Sequence, residues 1–149
     1  YQLKGEMPEG EHLVPIGKAA ITRPGKDVTI VGASMTARHA LVAAEELAKI
    51  GIDAEVVDLR TISPLDEETI LQSVAKTGRL IVADEANPVC GLATHIAGIV
   101  ASKGFSSLRA PVGLVTPPHA PVPFSPVLED AYLPSPEKII AAARQVCAR

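Results

Sequence analysis

Two short apolar runs on either side of one amphipathic helix limit this chain more than any other feature. Val28-Thr29-Ile30-Val31 reads as a buried strand, and Ile52 to Val57 as a second, its apolar end flanked by charges at Glu55 and Asp58 and read as buried on both faces. Between them Ala37, Ala40, Leu41, Ala44, Leu47 and Ala48 recur at helical spacing. Arg38, Glu45, Glu46 and Lys49 take the other face, and Gly51 stands where a C-terminal cap belongs. Residues 28–57 therefore predict a βαβ unit, which crosses over right-handed and builds parallel sheet. A core that starts this way leads to an open α/β sheet with helices on both faces.

The second strand runs into the joint Glu55-Val56-Val57-Asp58-Leu59-Arg60-Thr61-Ile62-Ser63-Pro64-Leu65-Asp66, polar at Asp58 and Arg60 and then crossing a proline. Asp66 fits an N-cap, with Leu65 and Ile70 as a hydrophobic staple and Glu67 and Glu68 in the first turn. Ser63 as the cap, with Pro64 at the first helical position, is an alternative start. Ile70, Leu71, Val74 and Ala75 are expected to face inward, and Gly78 ends the helix. Leu80 to Ala83 is the next strand, followed by Asp84-Glu85, a helix from Leu92 to Lys103 and a last strand from Val112 to Val115. Gly17 to Thr22 is expected as an edge strand closed by Pro24-Gly25.

Beyond the last strand the composition changes. Eight of the 13 prolines lie between Pro111 and Pro136, together with Phe124 and Tyr132. That excursion predicts an ordered wrapping loop, because a good helix follows it. Ser135-Pro136-Glu137 opens that helix, and Ile139, Ile140, Ala143, Val146 and Cys147 form one stripe. The expected architecture is a three-layer α/β/α domain over 17–149 with a mostly parallel sheet of about five strands. Residues 1–16, broken by Gly5, Pro8, Gly10 and Pro15, read as a linker from an upstream domain, and the non-methionine Tyr1 suits a chain start inside a longer protein.

Charge and motifs exclude several functions. A net charge of −3 and the lack of a basic stripe argue against nucleic acid, and no apolar run approaches membrane-spanning length. Cys90 and Cys147 are far apart and read as reduced thiols of a cytosolic-type protein. His12, His39, His95 and His119 have no metal-spaced partner; His39, beside Arg38, is expected to be solvated. The loop Gly32-Ala33-Ser34-Met35-Thr36 lacks the further glycines of a dinucleotide fingerprint, so Ser34 or Thr36 is expected as a plain N-cap. Cys90 as a nucleophile, and Asp84-Glu85 with His95 as an acid–base set, are weaker readings than capping and solvated roles.

Several stretches together resemble a known family. Asp27 to Val31, Ala43 to Ala48, Val57 to Asp66, Lys76 to Leu80, Pro121 to Pro126 and Leu128 to Pro136 look like the β subunits of thiamine-diphosphate-dependent E1 components. These belong to 2-oxo acid dehydrogenase complexes and acetoin dehydrogenases. The resemblance covers essentially the whole chain, and it is to the C-terminal, transketolase-C-like domain of that subunit. Where pyruvate-type members commonly carry a proline, an arginine and a glycine pair before an acidic residue, this chain has Ala86-Asn87-Pro88-Val89-Cys90-Gly91-Leu92-Ala93-Thr94-His95. With Thr116-Pro117-Pro118-His119, this looks more like the acetoin branch.

The resemblance implies an oxidoreductase whose chemistry lies outside these residues. Thiamine diphosphate and magnesium would be held by the preceding domain and by the α subunit, with none bound to this fragment, which alone is expected to be inactive. No Gly-Asp-Gly occurs here. The implied role is assembly, with an E1 α subunit, a second β subunit and the peripheral-subunit-binding domain of E2 as partners, in a bacterial-type cytoplasm. Phe124, Glu129, Asp130, Tyr132 and Arg149 are the implied interface residues, and no catalytic, cofactor or metal residue is expected. The alternatives are a free-standing small-molecule or nucleotide-binding α/β module using Gly32 to Thr36, and a hydrolase built on Cys90, His95 and Glu85.

Overall fold

The structure, a computed structural model, describes residues 9–148. Arg149 and half of the expected linker lie outside them. Five strands form one sheet in the order β1-β3-β2-β4-β5. They are β1 (Ala20–Arg23), β2 (Val28–Gly32), β3 (Ala54–Asp58), β4 (Leu80–Ala83) and β5 (Gly113–Val115). β1 runs antiparallel to β3 along one edge, with a register shift between Ile21 and Arg23, and every other pairing is parallel. The expected edge strand exists but begins at Ala20, not Gly17.

Alternate residues of each parallel strand feed two separate cores. On one face Val28, Ile30, Val56, Ile81, Ala83 and Val115 pack under α1 (Met35–Lys49) and α5 (Pro136–Cys147). On the other Val31, Val57, Leu80 and Val82 pack under α2 (Glu67–Thr77) and α3 (Leu92–Lys103). Because both faces are covered, the strands read as largely apolar runs, and that is what made them legible. The expected α/β/α layers and nearly parallel sheet are the observed ones.

The helix ends follow their chemistry. Asp66 is the N-cap of α2, accepting from Thr69 N–H at 3.2 Å, and Gly78 closes it in the left-handed region. Ser135 caps α5, with Pro136 at its first position. Past α1, Gly51 has a φ of 81°, the left-handed conformation that favours glycine there.

Two expectations fail inside the body. Ala75 is exposed and Leu71 half-buried; the inner face of α2 is Ile70, Ser73, Val74 and Thr77. The reason is Glu55, which lies within β3 at 0% exposure and demands polar neighbours. Ser73 Oγ and Lys76 Nζ both donate to its carboxylate, and Gly25 N–H approaches Oε2 at 3.4 Å. Thr29 Oγ1 extends the network, 3.1 Å from Ser73 Oγ and 2.8 Å from Thr77 Oγ1. The second failure is α4 (Pro126–Tyr132), a helix inside the proline-rich excursion that no periodicity announced.

Candidate functional site

The loops that leave the C-terminal ends of the parallel strands share one rim, the usual ligand end of an open α/β sheet. Three non-glycine residues with positive φ occupy those loops: Ser34 after β2 (54°), Arg60 after β3 (54°) and Cys90 after β4 (57°).

After β2, Ser34 has φ 54° and ψ −122° and makes no side-chain cap bond. This corrects its expected role, since an N-cap residue is extended. Thr36 closes the turn instead, its Oγ1 accepting from Ala33 N–H at 3.0 Å and donating to Ala33 O at 2.8 Å. A Cβ on Gly32 would come within 2.7 Å of the Ala37 nitrogen, so that glycine serves the close approach of strand and helix. His39, one turn into α1, is half-buried, and its Nδ1 is enclosed without a hydrogen-bond partner, so it is not the solvated side chain expected.

After β3, Asp58 Oδ1 accepts from the backbone N–H of Arg60 at 3.2 Å. The joint is thus tied through the main chain. The Arg60 side chain stays exposed and makes no hydrogen bond among the described residues. Asp66 does more than cap. Its Oδ2 accepts from Thr69 Oγ1 at 2.9 Å and from Ala19 N–H at 3.0 Å, while Thr61 Oγ1 accepts from Gly17 N–H at 3.1 Å. Burial acts to raise the Asp66 pKa. Hydrogen bonds from Ala19 and Thr69, with the Lys18 charge, outweigh it together and hold the carboxyl below its ordinary value.

After β4, the Asp84 carboxylate closes its own loop. Oδ1 accepts from Ala86 N–H at 3.0 Å and Oδ2 from Ala93 N–H at 3.1 Å, in the first turn of α3. Gly91, the N-cap there, has no side chain to do it. Asp84 therefore takes the capping role. Glu85, Cys90 and His95 are exposed, and no hydrogen bond among the described residues joins them into a nucleophile–base set. Nor do any three His, Cys, Asp or Glu among the described residues form a group able to hold a metal.

After β5 the chain builds a different kind of feature. Phe124 is 101% exposed, Val127 76% and Leu128 57%, and α4 contributes no buried residue. Glu129 and Asp130 are exposed on the same short helix. Tyr132 is half-buried, and its hydroxyl donates to Ala120 O at 2.9 Å. Lys138 Nζ, from α5, donates to Ala131 O and Leu133 O, each at 2.6 Å. Beside it the Glu137 carboxyl is held below its ordinary pKa, first by its hydrogen bond with Ser135 and then by its own N–H, which outweigh the opposing effect of burial; a nearby charge at His39 adds least. Four of the five expected interface residues thus lie on one segment, and the fifth, Arg149, lies outside the described residues. Lys138 was missed, because its role is to satisfy carbonyls and no sequence spacing announces that.

Comparison with known proteins gives this geometry a context. Residues 17–139 match the family described as "Transketolase, C-terminal domain". The chain is 56% identical over 145 residues to the acetoin:2,6-dichlorophenolindophenol oxidoreductase subunit beta of Cupriavidus necator, covering 97% of this chain and 43% of that protein. It is 43% identical over 141 residues to the pyruvate dehydrogenase E1 component subunit beta of Bacillus subtilis, covering 95% of this chain and 43% of that protein. Among solved structures it superposes with a TM-score of 0.79 and 27% identity on a split gene transketolase described as an inactive beta4 tetramer, over 91% of this chain and 44% of that one. The chain spans less than half the length of these relatives.

Proposed function

Because this chain belongs to the transketolase C-terminal domain family, we propose that it is the assembly domain of a β subunit in a thiamine-diphosphate-dependent dehydrogenase, of the acetoin type. The observation that carries this reading is the segment after β5, where large apolar side chains and two carboxylates are held in order yet exposed to water. Contiguous exposed apolar surface of that kind marks an interface. The acetoin branch is favoured because the identity to the acetoin oxidoreductase subunit is 56% against 43% for the pyruvate dehydrogenase subunit.

In this reading the partners are an α subunit, a second β subunit and the basic peripheral-subunit-binding domain of E2, with Phe124, Glu129 and Asp130 at the contact. Thiamine diphosphate and its magnesium belong to the parent enzyme. The described residues do not fit them: the rim carboxylates Asp66 and Asp84 are committed to backbone N–H groups, and no cluster of metal ligands is present among the described residues. The chain's share of the work is to bind and position neighbouring subunits.

Titration calorimetry of the 149-residue chain with thiamine diphosphate and magnesium is expected to give no binding heat, and the chain alone no turnover of acetoin or pyruvate. An E2 peripheral-subunit-binding domain should bind it with an affinity that falls steeply with salt. Turnover by the isolated chain, or a salt-independent association, would overturn the proposal.

A further inference from the structure

The chain enters the domain at the rim where the parallel strands end. β1, the antiparallel strand, pairs Ala20 with Asp58, so its first residue stands level with the last residue of β3. Gly32 pairs with Asp58 on the other side, so β2 ends at the same level. The entry is tied down there. Gly17 N–H donates to Thr61 Oγ1 at 3.1 Å, and Ala19 N–H donates to Asp66 Oδ2 at 3.0 Å. A Cβ on Gly17 would lie 2.9 Å from Pro64 Cγ, so the entering backbone rests on that ring. The corner fixed in this way is nevertheless apolar and open. Ile16, Ile62 and Met35 are all exposed, Ile16 by 82%. Lys18 and Arg60, the sequence neighbours of the tied Gly17 and Thr61, are exposed beside them.

We infer that Ile16, Ile62 and Met35 form a docking corner for the upstream domain of the same subunit, which covers them with an apolar surface edged by carboxylates. This rests on the β-subunit reading above and on residues 1–16 leading in from an upstream domain. The relatives leave room for one, since this chain spans 43% of the acetoin oxidoreductase subunit. The geometry favours that domain over other occupants. A domain joined just ahead of Ile16 is delivered to this corner by the ties at Gly17 and Ala19. A short covalent link also holds it there at an effective concentration on the order of millimolar, with no second molecule to recruit. Clustered apolar side chains on an ordered corner mark a contact surface. The charges select its edge. Asp66 is buried, and both it and Asp58 accept from backbone N–H groups. The exposed charges flanking the two tied residues, Lys18 and Arg60, are both basic and favour acid opposite.

The test uses the full-length subunit that carries this chain, alone in solution, and reads Met35 oxidation by hydroxyl-radical footprinting. Oxidation of methionine follows exposure, so Met35 is expected to react about fivefold slower in the unmodified subunit than in an Ile16→Asp, Ile62→Asp variant. Both isoleucines lie outside the two cores, so the variant should keep the fold of this domain. Phe105, exposed past the far end of α3, reports on that, and its labelling should not change. Ile62→Ser, a milder change, should move Met35 in the same direction. A Lys18→Glu, Arg60→Glu variant should speed Met35 oxidation by about twofold, the worth of exposed ion pairs.

Met35 oxidising as fast in the unmodified subunit as in the isoleucine variants would leave the corner uncovered and overturn the inference. Protection that grows with subunit concentration would make a second copy the occupant. Protection that appears only after the α subunit is added would make that subunit the occupant, and either result overturns the upstream domain. Full protection in the charge variant would overturn the carboxylate edge. If Met35 is protected in the subunit alone but the subunit does not associate with the α subunit, the assembly reading fails and the docking corner stands.

Discussion

Ala19 donates its backbone N–H to Asp66 Oδ2 at 3.0 Å, so the carboxylate that starts α2 also fastens the chain as it enters the domain. One side chain therefore joins the edge strand β1 to the rim of the parallel sheet. Replacing Asp66 by Ala removes the cap and this tether together. The expected loss is about 2–3 kcal/mol, the sum of a cap and a partly buried hydrogen bond. Urea denaturation measures it, and a loss under about 0.5 kcal/mol would mean that the tether contributes nothing.

The same carboxyl sets a pH dependence. Its folded pKa lies below the ordinary 3.8, so the folded state prefers the ionised form. Its contribution is complete above that ordinary value and is lost as the pH falls from there through the lowered folded value. Asp66→Asn should flatten this acid limb, so that the stabilities of the two proteins converge at low pH. Parallel curves for the two proteins would contradict it.

Lys76→Met leaves the Glu55 carboxylate in the sheet with only Ser73 and Gly25 as donors among the described residues. Breaking a buried pair costs about 3–5 kcal/mol. The Lys76 side chain is about half exposed, so solvent screening brings the expected loss below that range, to about 2–3 kcal/mol. A Glu55→Leu, Lys76→Met double variant should recover part of the loss. If the single variant is as stable as the parent, Glu55 is adequately held without the lysine.

Ser34 offers a test with the opposite sign. It makes no cap bond and sits at positive φ, so Ser34→Ala should be nearly neutral and Ser34→Gly should stabilise by up to about 1 kcal/mol. A loss of about 1 kcal/mol in the alanine variant would restore the N-cap role.

The two thiols should differ in rate. Burial pushes the Cys147 thiol above its ordinary value, and although Arg79 pulls it down and Asp27 pushes it up, burial prevails. Cys90 is exposed. Iodoacetamide at pH 8 is expected to label Cys90 at least about tenfold faster, because the thiolate is the nucleophile. Equal rates read by peptide mass spectrometry would contradict the burial of Cys147.

Most of the layered fold was legible, because Val28, Ile30, Val31, Val56, Val57 and Leu80 to Ala83 are buried on both faces and carry no polar interruption except Thr29 and Glu55. Glu55 was illegible: a charge at the end of an apolar run looks like a flank. The signal that could have exposed it lay on the helix, where Ser73 and Thr77 share a face with Ile70 and Val74. The short α4 gave no signal because its apolar residues have no partner within the described chain, and periodicity reports only a face that is buried at home. Phe124, Glu129 and Asp130 stood out by composition. The work of Tyr132 and Lys138 did not, since a donor to a carbonyl several residues away leaves no pattern in the sequence.

The sheet order also has a consequence for how the chain emerges during synthesis. β2, made early, is central; β3, β4 and β5 are added outward from it, and α5 comes last. Until Ile139, Ala143 and Val146 have been made, Ile81, Ala83 and Val115 lack part of their cover. A domain on which α5 has not yet docked would therefore present the sheet with part of one apolar face uncovered. Among the described elements α5 is the last to be made, and until it packs the uncovered apolar side chains are exposed to aggregation.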